Sequence, residues 1–375
     1  MKIAIILIII LAAGWLSALG LRQFRARTLV PLELVEKADH YKGRHFVNRL
    51  PSEELSAGNF FRMAKKFFTE KQPDKRPARP LPVHSITNEF DGPPSENLRF
   101  AWLGHSSVIL EIEGRRLLLD PMLSERSSLV RWAGPRRFHP APITAENLPQ
   151  VDAVLISHDH FDHLDRATIM ALADRHLLFY TPIGVGQRLI DWGIEPQKII
   201  QMNWWDIHKL NDLQITATPA RHFSGRGLLD RDMTLWTSWA ITGDRHRVFF
   251  SGDTGPTPDM AEIGERFGPF DLTFIEIGAY DEYWGSIHAG PQVATEIHRQ
   301  VKGRRMVPIH WATFDLAYHS WYTPAEEVVA ATSETEVDLL TPEIGAVINP
   351  HNHLSKSWWR PYQQDPRFSP ETNKE

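Results

Sequence analysis

A mostly apolar hexapeptide, VDAVLI (residues 151–156), runs straight into SHDHFDHLD (157–165), which packs three histidines and three aspartates into nine positions. The first stretch reads as a short buried strand, and residues 166–176 after the second read as a helix. A loop at the carboxyl end of a strand can aim several side chains at one point, with the sheet as rigid support. His158 and His160 lie two apart, so extended backbone sends both the same way; Asp162 and His163 follow as the chain turns toward the helix. A solvated helix cap would account for the aspartates and the serine. It would not account for three imidazoles in six positions behind a buried strand. The stretch therefore reads as a metal site carried on a sheet.

Further ligands should then stand at other strand ends. LQITATPA (213–220) is followed by His222, RVFFSG (247–252) by Asp253, and RMVPIHW (305–311) carries His310 near its end. Gly252 and Gly255 flank Asp253 and let the backbone turn tightly there. Any one of these residues alone would read as a hydrogen-bonded structural group; their recurrence in strand–ligand order argues for a site. Five histidines and two aspartates divide into two sets: His158, His160 and His222 on one ion, Asp162, His163 and His310 on the other, with Asp253 bridging. Imidazole with some carboxylate suits zinc best, and iron or manganese would also fit. Two zinc ions per chain, about 3.5–4 Å apart, can hold a bridging hydroxide and clamp a substrate oxygen, which is hydrolytic chemistry. Asp253 and Asp162 then belong to the catalytic machinery as well as to the ligand set.

Composition narrows the alternatives. The chain has no cysteine, which excludes disulfides and thiolate metal sites, whereas 18 histidines leave ample imidazole. A net charge of −5, with no basic run near the ligands, argues against a nucleic-acid partner.

The catalytic domain is expected over residues 98–350. Strand candidates are 100–112 and 117–121 about a turn containing Gly114, then 153–157, 213–220, 247–252, 272–278 and 305–311. Helical candidates are 166–176, 184–192, 260–267, 291–302 and 324–334. Such a mixture predicts sheets covered by helices, in an α+β or layered α/β domain. Residues 22–97 read as an N-terminal extension with short helices at 32–41 and 57–70 and a charged, proline-rich linker at 71–82. Residues 351–375 read as a polar tail. Residues 1–21 stand apart. Positions 3–20 carry no charge, and at ~1.5 Å per residue such a helix spans roughly 27 Å. A cleaved signal peptide competes with an uncleaved membrane anchor, but Leu16-Ser17-Ala18 is a poor cleavage site, so the anchor fits better. Arg22, Arg25 and Arg27 beyond it lean the domain toward the cytoplasm.

The pattern H-x-H-x-D-H, followed by separate His, Asp and His, resembles the metallo-β-lactamase superfamily. WLGHSSV (102–108), DP (120–121), GPRRF (134–138), LWTSW (235–239), FFSGDTG (249–255), GERFGPFDL (264–272), IGAY (277–280) and IHWATF (309–314) make the chain similar to its N-acyl-phosphatidylethanolamine-hydrolysing phospholipase D family. The resemblance implies an αββα sandwich with the metals at one edge between two sheets. It also implies phosphodiester cleavage of an N-acylated glycerophospholipid, releasing phosphatidic acid and an N-acylethanolamine. Carried over by position, the metal ligands are the seven residues already assigned. His288, in SIHAGP, matches a histidine the family places beside the metals, where it can polarise the phosphate or protonate the leaving alkoxide.

Asp159 stands where mammalian members have Asn, which adds a negative charge next to the metals. Trp204, Trp205, Trp236 and Trp239 read either as core or as the wall of an apolar channel or a membrane-facing surface. The expected partner is a phospholipid, reached by a membrane-tethered enzyme. Two other readings remain open at the level of sequence. One is a lactonase or amidase, since the same hydroxide attacks carbonyls; the other is a non-catalytic envelope protein with a vestigial site, which the intact ligand set opposes.

Overall fold

Apolar side chains on both faces of most strands force a layered arrangement, because each face must be covered. The computed structural model describes residues 30–36, 38–51, 74–227, 229–281, 286–353 and 355–363. The expected anchor at 3–20 and the expected helix at 57–70 lie outside these residues. Among the described residues no helix is long and apolar enough to cross a membrane.

The described chain opens with a single helical turn, α1 (Leu32–Val35), and a small hairpin of β1 (Tyr41–Lys42) and β2 (His45–Phe46). Two seven-stranded sheets follow. The first is built from β3 (Arg99–Gly104), β4 (Ser107–Ile112), β5 (Arg115–Leu119), β6 (Ala153–Leu155), β7 (Leu178–Pro182) and β8 (Ile199–Met202). The second contains β9 (Ile207–Leu210), β10 (Leu213–Thr218), β11 (Ser238–Thr242), β12 (Arg247–Phe250), β13 (Phe270–Glu276), β14 (Gly303–Ile309) and β15 (Asp338–Leu339). The last strand, β16 (Val347–Ile348), returns to the first sheet and pairs antiparallel with β3. Helices α2 (Arg166–Leu172) and α3 (Val185–Trp192) cover the outer face of the first sheet; α4 (Asp259–Phe267), α5 (Gly290–Gln300) and α6 (Thr323–Thr335) cover the second. This is the αββα sandwich.

Strand periodicity explains the layering. Phe100 and Trp102 of β3 point between the sheets, where Phe100 meets Phe274 edge-on at 5.1 Å, while Ala101 and Leu103 point outward to α2 and α3. Directions within each sheet then place the site. Strands β3, β5 and β6 run the same way in the first sheet, and β10, β12, β13 and β14 run the same way in the second. Their carboxyl ends gather at one rim of the sandwich.

Several expectations are corrected here. The run 100–112 is two strands: the chain reverses at His105 and Ser106, with His105 at φ 52° and Gly104 paired to Ser107. The helix expected at 32–41 is only the one turn of α1. The part of the expected linker that is described is packed: Leu81 is buried, and Trp321 N donates to Asp74 O at 3.1 Å. The expected tail is not wholly peripheral either. Trp358 and Trp359 are buried in the main core, and Trp359 Nε1 donates to Glu326 Oε1 at 2.8 Å.

Candidate metal centre

Every predicted ligand follows a strand that ends at the shared rim. His158, His160, Asp162 and His163 follow β6; His222 follows β10, Asp253 follows β12 and His310 follows β14. The turns need unusual backbone. Gly252 has φ 55°, and a Cβ there would meet Ser157 Cβ at 2.5 Å; His310 itself sits at φ 67°.

The seven side chains converge as two groups. His158, His160, His222 and Asp253 form one; Asp162, His163 and His310 form the other, joined by His105. Nδ1 of His160 lies 2.8 Å from Nε2 of His158 and 3.3 Å from Nε2 of His222. Asp253 Oδ2 stands between the groups, 3.1 Å from Nε2 of both His163 and His310, 3.7 Å from Nε2 of His222 and 3.8 Å from Nε2 of His158. Asp162 Oδ2 lies 3.4 Å from His310 Nε2 and 3.6 Å from His163 Nε2.

The donor set fits metal ions. His163 Nε2, His310 Nε2 and Asp253 Oδ1 are buried and make no hydrogen bond. Groups of this kind are costly to bury unless something coordinates them. Charge points the same way. Burial pushes His158 and His222 well below the ordinary imidazole value. At His163 and His310 burial is outweighed by Asp253 and Asp162, which drive His163 well above that value and His310 to about 10. Against burial, the same imidazoles hold Asp162 and Asp253 well below the carboxylate range. The centre of the cluster thus favours positive charge, which divalent ions supply while displacing the ring protons.

A second layer sets the rings. Asp120, at the end of β5, is fully buried and accepts from His163 Nδ1 at 2.7 Å. It also accepts from Ser157 Oγ at 2.5 Å, and that hydroxyl in turn accepts from His158 Nδ1 at 2.9 Å. His222 Nδ1 donates to Ile287 O at 2.9 Å. In each case the other nitrogen, Nε2, is left to face the cluster.

A beta-lactamase superfamily domain matches residues 115–311, the stretch that carries all seven converging residues. The chain belongs to the β-lactamase superfamily. It is a metal-dependent hydrolase of that superfamily. An uncharacterized protein of Mycobacterium tuberculosis is 40% identical over 331 residues, covering 87% of this chain and 88% of the relative. N-acyl-phosphatidylethanolamine-hydrolyzing phospholipase D 1 of Caenorhabditis elegans is 34% identical over 273 residues, covering 69% of this chain and 76% of the relative. Among solved structures, isothiocyanate hydrolase from Delia radicum gut bacteria superposes with a TM-score of 0.55 at 23% identity, over 67% of this chain and 98% of that one, which shows the shared fold.

Two rim residues of this superfamily member escaped the sequence reading. His105 reaches the cluster from the β3–β4 turn, and its Nε2 donates to Asp162 Oδ2 at 2.9 Å. Glu276, the last residue of β13, is buried behind His288 and accepts from His288 Nδ1 at 2.7 Å. Burial raises the Glu276 carboxyl above its ordinary value, against the pull of His288. With Asp253 and His310 this pair forms a third group of converging atoms. His288 is thereby brought to the cluster, its ring 4.9 Å from that of His222 and 5.5 Å from that of His310.

One expectation about the surroundings does not hold, and the core reading of the tryptophans does. Asp159 adds no free charge beside the metals, because it pairs with buried Arg188 and accepts from Gly225 N at 2.7 Å. Against burial, Arg188 holds its carboxyl well below the usual range. Trp204, Trp236 and Trp239 line no open surface; they are core, with the indoles of Trp204 and Trp236 donating to the carbonyls of Trp236 and Ala220 at 2.7 and 3.0 Å. Trp205 is partly buried against the same core.

Proposed function

We propose that this chain is a di-zinc phosphodiesterase of the phospholipase D type, cleaving N-acyl-phosphatidylethanolamine or a closely related phospholipid. One observation carries the two-ion part: a single carboxylate oxygen, Asp253 Oδ2, lies within 3.1–3.8 Å of ring nitrogens from both groups. The choice of bond is supported by the printed activity of the Caenorhabditis elegans relative.

His158, His160 and His222 would hold one ion, Asp162, His163 and His310 the other, and Asp253 would touch both. When bound, such a pair supplies Lewis acidity and lowers the pKa of water to near neutrality. In the reaction a water oxygen bonds to phosphorus, the bond from phosphorus to the N-acylethanolamine oxygen breaks, and that departing oxygen takes up a proton. In this reading His288 gives it, with its ring held by Glu276 through Nδ1. His105 holds Asp162 in place through their 2.9 Å hydrogen bond. In this reading residues 3–20 anchor the enzyme to the membrane that contains its substrate, with the domain on the cytoplasmic side.

Metal analysis of purified protein should find two zinc ions per chain. The protein should hydrolyse N-acylated phosphatidylethanolamine in preference to an acyl lactone, and Asp253→Ala should lower the rate about 10³-fold or more. Absence of bound metal, or cleavage of the lactone without cleavage of the diester, would sink the reading.

A further inference from the structure

The tryptophans singled out by sequence are buried or partly buried, whereas one that was not, Trp132, is 78% exposed. It sits on the loop SERSSLVRWAGPRRF (124–138) together with Leu129, which is 45% exposed. The loop is held as a narrow ribbon. Ser127 N donates to Pro135 O at 3.0 Å, Arg137 N to Glu125 O at 2.9 Å, and Arg126 Nη1 to Gly134 O at 2.6 Å. Its two stems are tied beside one group of the cluster, the one that holds His163 and His310. Ser124 N donates at 3.0 Å to Oδ2 of Asp165, two positions after His163. Phe138 N donates at 2.9 Å to the carbonyl of Thr313, three positions after His310. The tip thus projects from the rim that carries the ligands.

We infer that this loop docks the enzyme on an anionic lipid bilayer, with Trp132 and Leu129 entering the interface and the arginines around them meeting phosphate headgroups. Residues 124–138 carry four arginines (126, 131, 136 and 137) against one glutamate (125), a surplus of three positive charges on a chain whose net charge is −5. Arg137 is buried and Arg136 pairs with Glu125, while Arg131 is exposed at the tip beside Trp132. Tryptophan is favoured at the bilayer interface, and arginine is attracted to anionic leaflets. A second copy of this chain is a poorer occupant. A two-fold contact through the tip would set Arg131 against its own image. The inference rests on the phospholipid reading for its purpose, but docking can be measured without turnover.

Hydrogen–deuterium exchange of the full-length, metal-loaded protein tests it on vesicles that contain no substrate. Amides of residues 128–134 should be protected on phosphatidylglycerol–phosphatidylcholine vesicles, less so in high salt, and not on phosphatidylcholine alone. Trp132→Ser and Arg131→Glu should each raise KM for vesicle-borne substrate about tenfold, with turnover of a soluble diester unchanged. Both variants keep residues 3–20, so any tether there is common to all the proteins compared. No protection on anionic vesicles overturns the inference, as does protection that grows with protein concentration in the absence of lipid. Equal loss of soluble-diester activity would overturn it too, by making the loop structural. Protection on vesicles without hydrolysis of any phospholipid would uphold docking and count against the proposed substrate alone.

Discussion

Asp120 touches no predicted metal position, yet it governs one ring in each group. It takes the Nδ1 proton of His163 directly and that of His158 through the Ser157 hydroxyl. Replacing it by Asn keeps the size but removes the acceptor that fixes both tautomers. Asp120→Asn should therefore weaken zinc binding at both positions by about 10–100-fold, seen as earlier loss to a competing chelator. A loss confined to one ion would contradict this dual role. The seven residues that converge at the rim were legible because imidazoles and carboxylates recur where apolar runs stop. His105 and Glu276 were not, since each is a lone polar residue inside an apolar run. The signals were present in small form: GHSS breaks the run at 104–107, and a carboxylate inside LTFIEIG must find a buried partner. Asp120 and His310 also occupy positive φ, at 37° and 67°, a conformation that no spacing pattern reveals.

Among elements, the five helices between residues 166 and 335 and the ligand-bearing strands were located by periodicity and agree with the structure to within a few residues. The strands missed include β7, β8, β9 and β11, of four or five residues each. Short runs of this length carry too little pattern to separate them from loops. The loop between β6 and α2 has a support that sequence did not suggest. The Arg226 guanidinium donates at 2.8 Å to the carbonyls of both Asp159 and Leu164 and lies 4.0 Å over the Phe161 ring. It pins the backbone on either side of three ligands. Arg226→Ala should cut metal affinity and activity together by about tenfold or more, with Arg226→Lys restoring little because an ammonium lacks the flat guanidinium that lies over the Phe161 ring. Isothermal titration with zinc distinguishes this from simple unfolding, since the folded variant would still bind both ions, only more weakly.

At the scale of the whole molecule, the end of the sandwich away from the ligands is held by charge. Arg99, Glu111 and Arg116 stand directly opposite one another across β3, β4 and β5. Glu111 is buried, 2.6 Å from Arg99 Nε and 2.8 Å from Arg116 Nε. Although burial opposes it, the two guanidiniums hold the Glu111 carboxyl below its ordinary value of 4.5. The unfolded chain therefore takes up this proton at higher pH than the folded one. The stability that Glu111 contributes is present above about pH 4.5 and is lost as pH falls through the lower folded value. Glu111→Ala, which strands Arg116, should cost about 3 kcal/mol at pH 7, and the gap from the parent protein should narrow by pH 3 in denaturant melts. A gap independent of pH would show that packing, not charge, holds this end. Sheets covered by helices were expected from the mixture of strands and helices, and the sandwich from the family resemblance. The inclusion of Trp358 and Trp359 in its core was not, because their neighbours are polar and proline-rich.

The division of the rim between two sheets has a consequence for biosynthesis. By the end of β8 at residue 202, a nascent chain has displayed His158, His160, Asp162 and His163, together with six of the first sheet's seven strands. It has made neither Asp253, whose oxygen joins the two groups, nor His222 or His310. The seventh strand, β16, is made after all of these. Closure of the rim is in this way a late event of manufacture: a chain stopped at residue 202 cannot bring the two groups of side chains together.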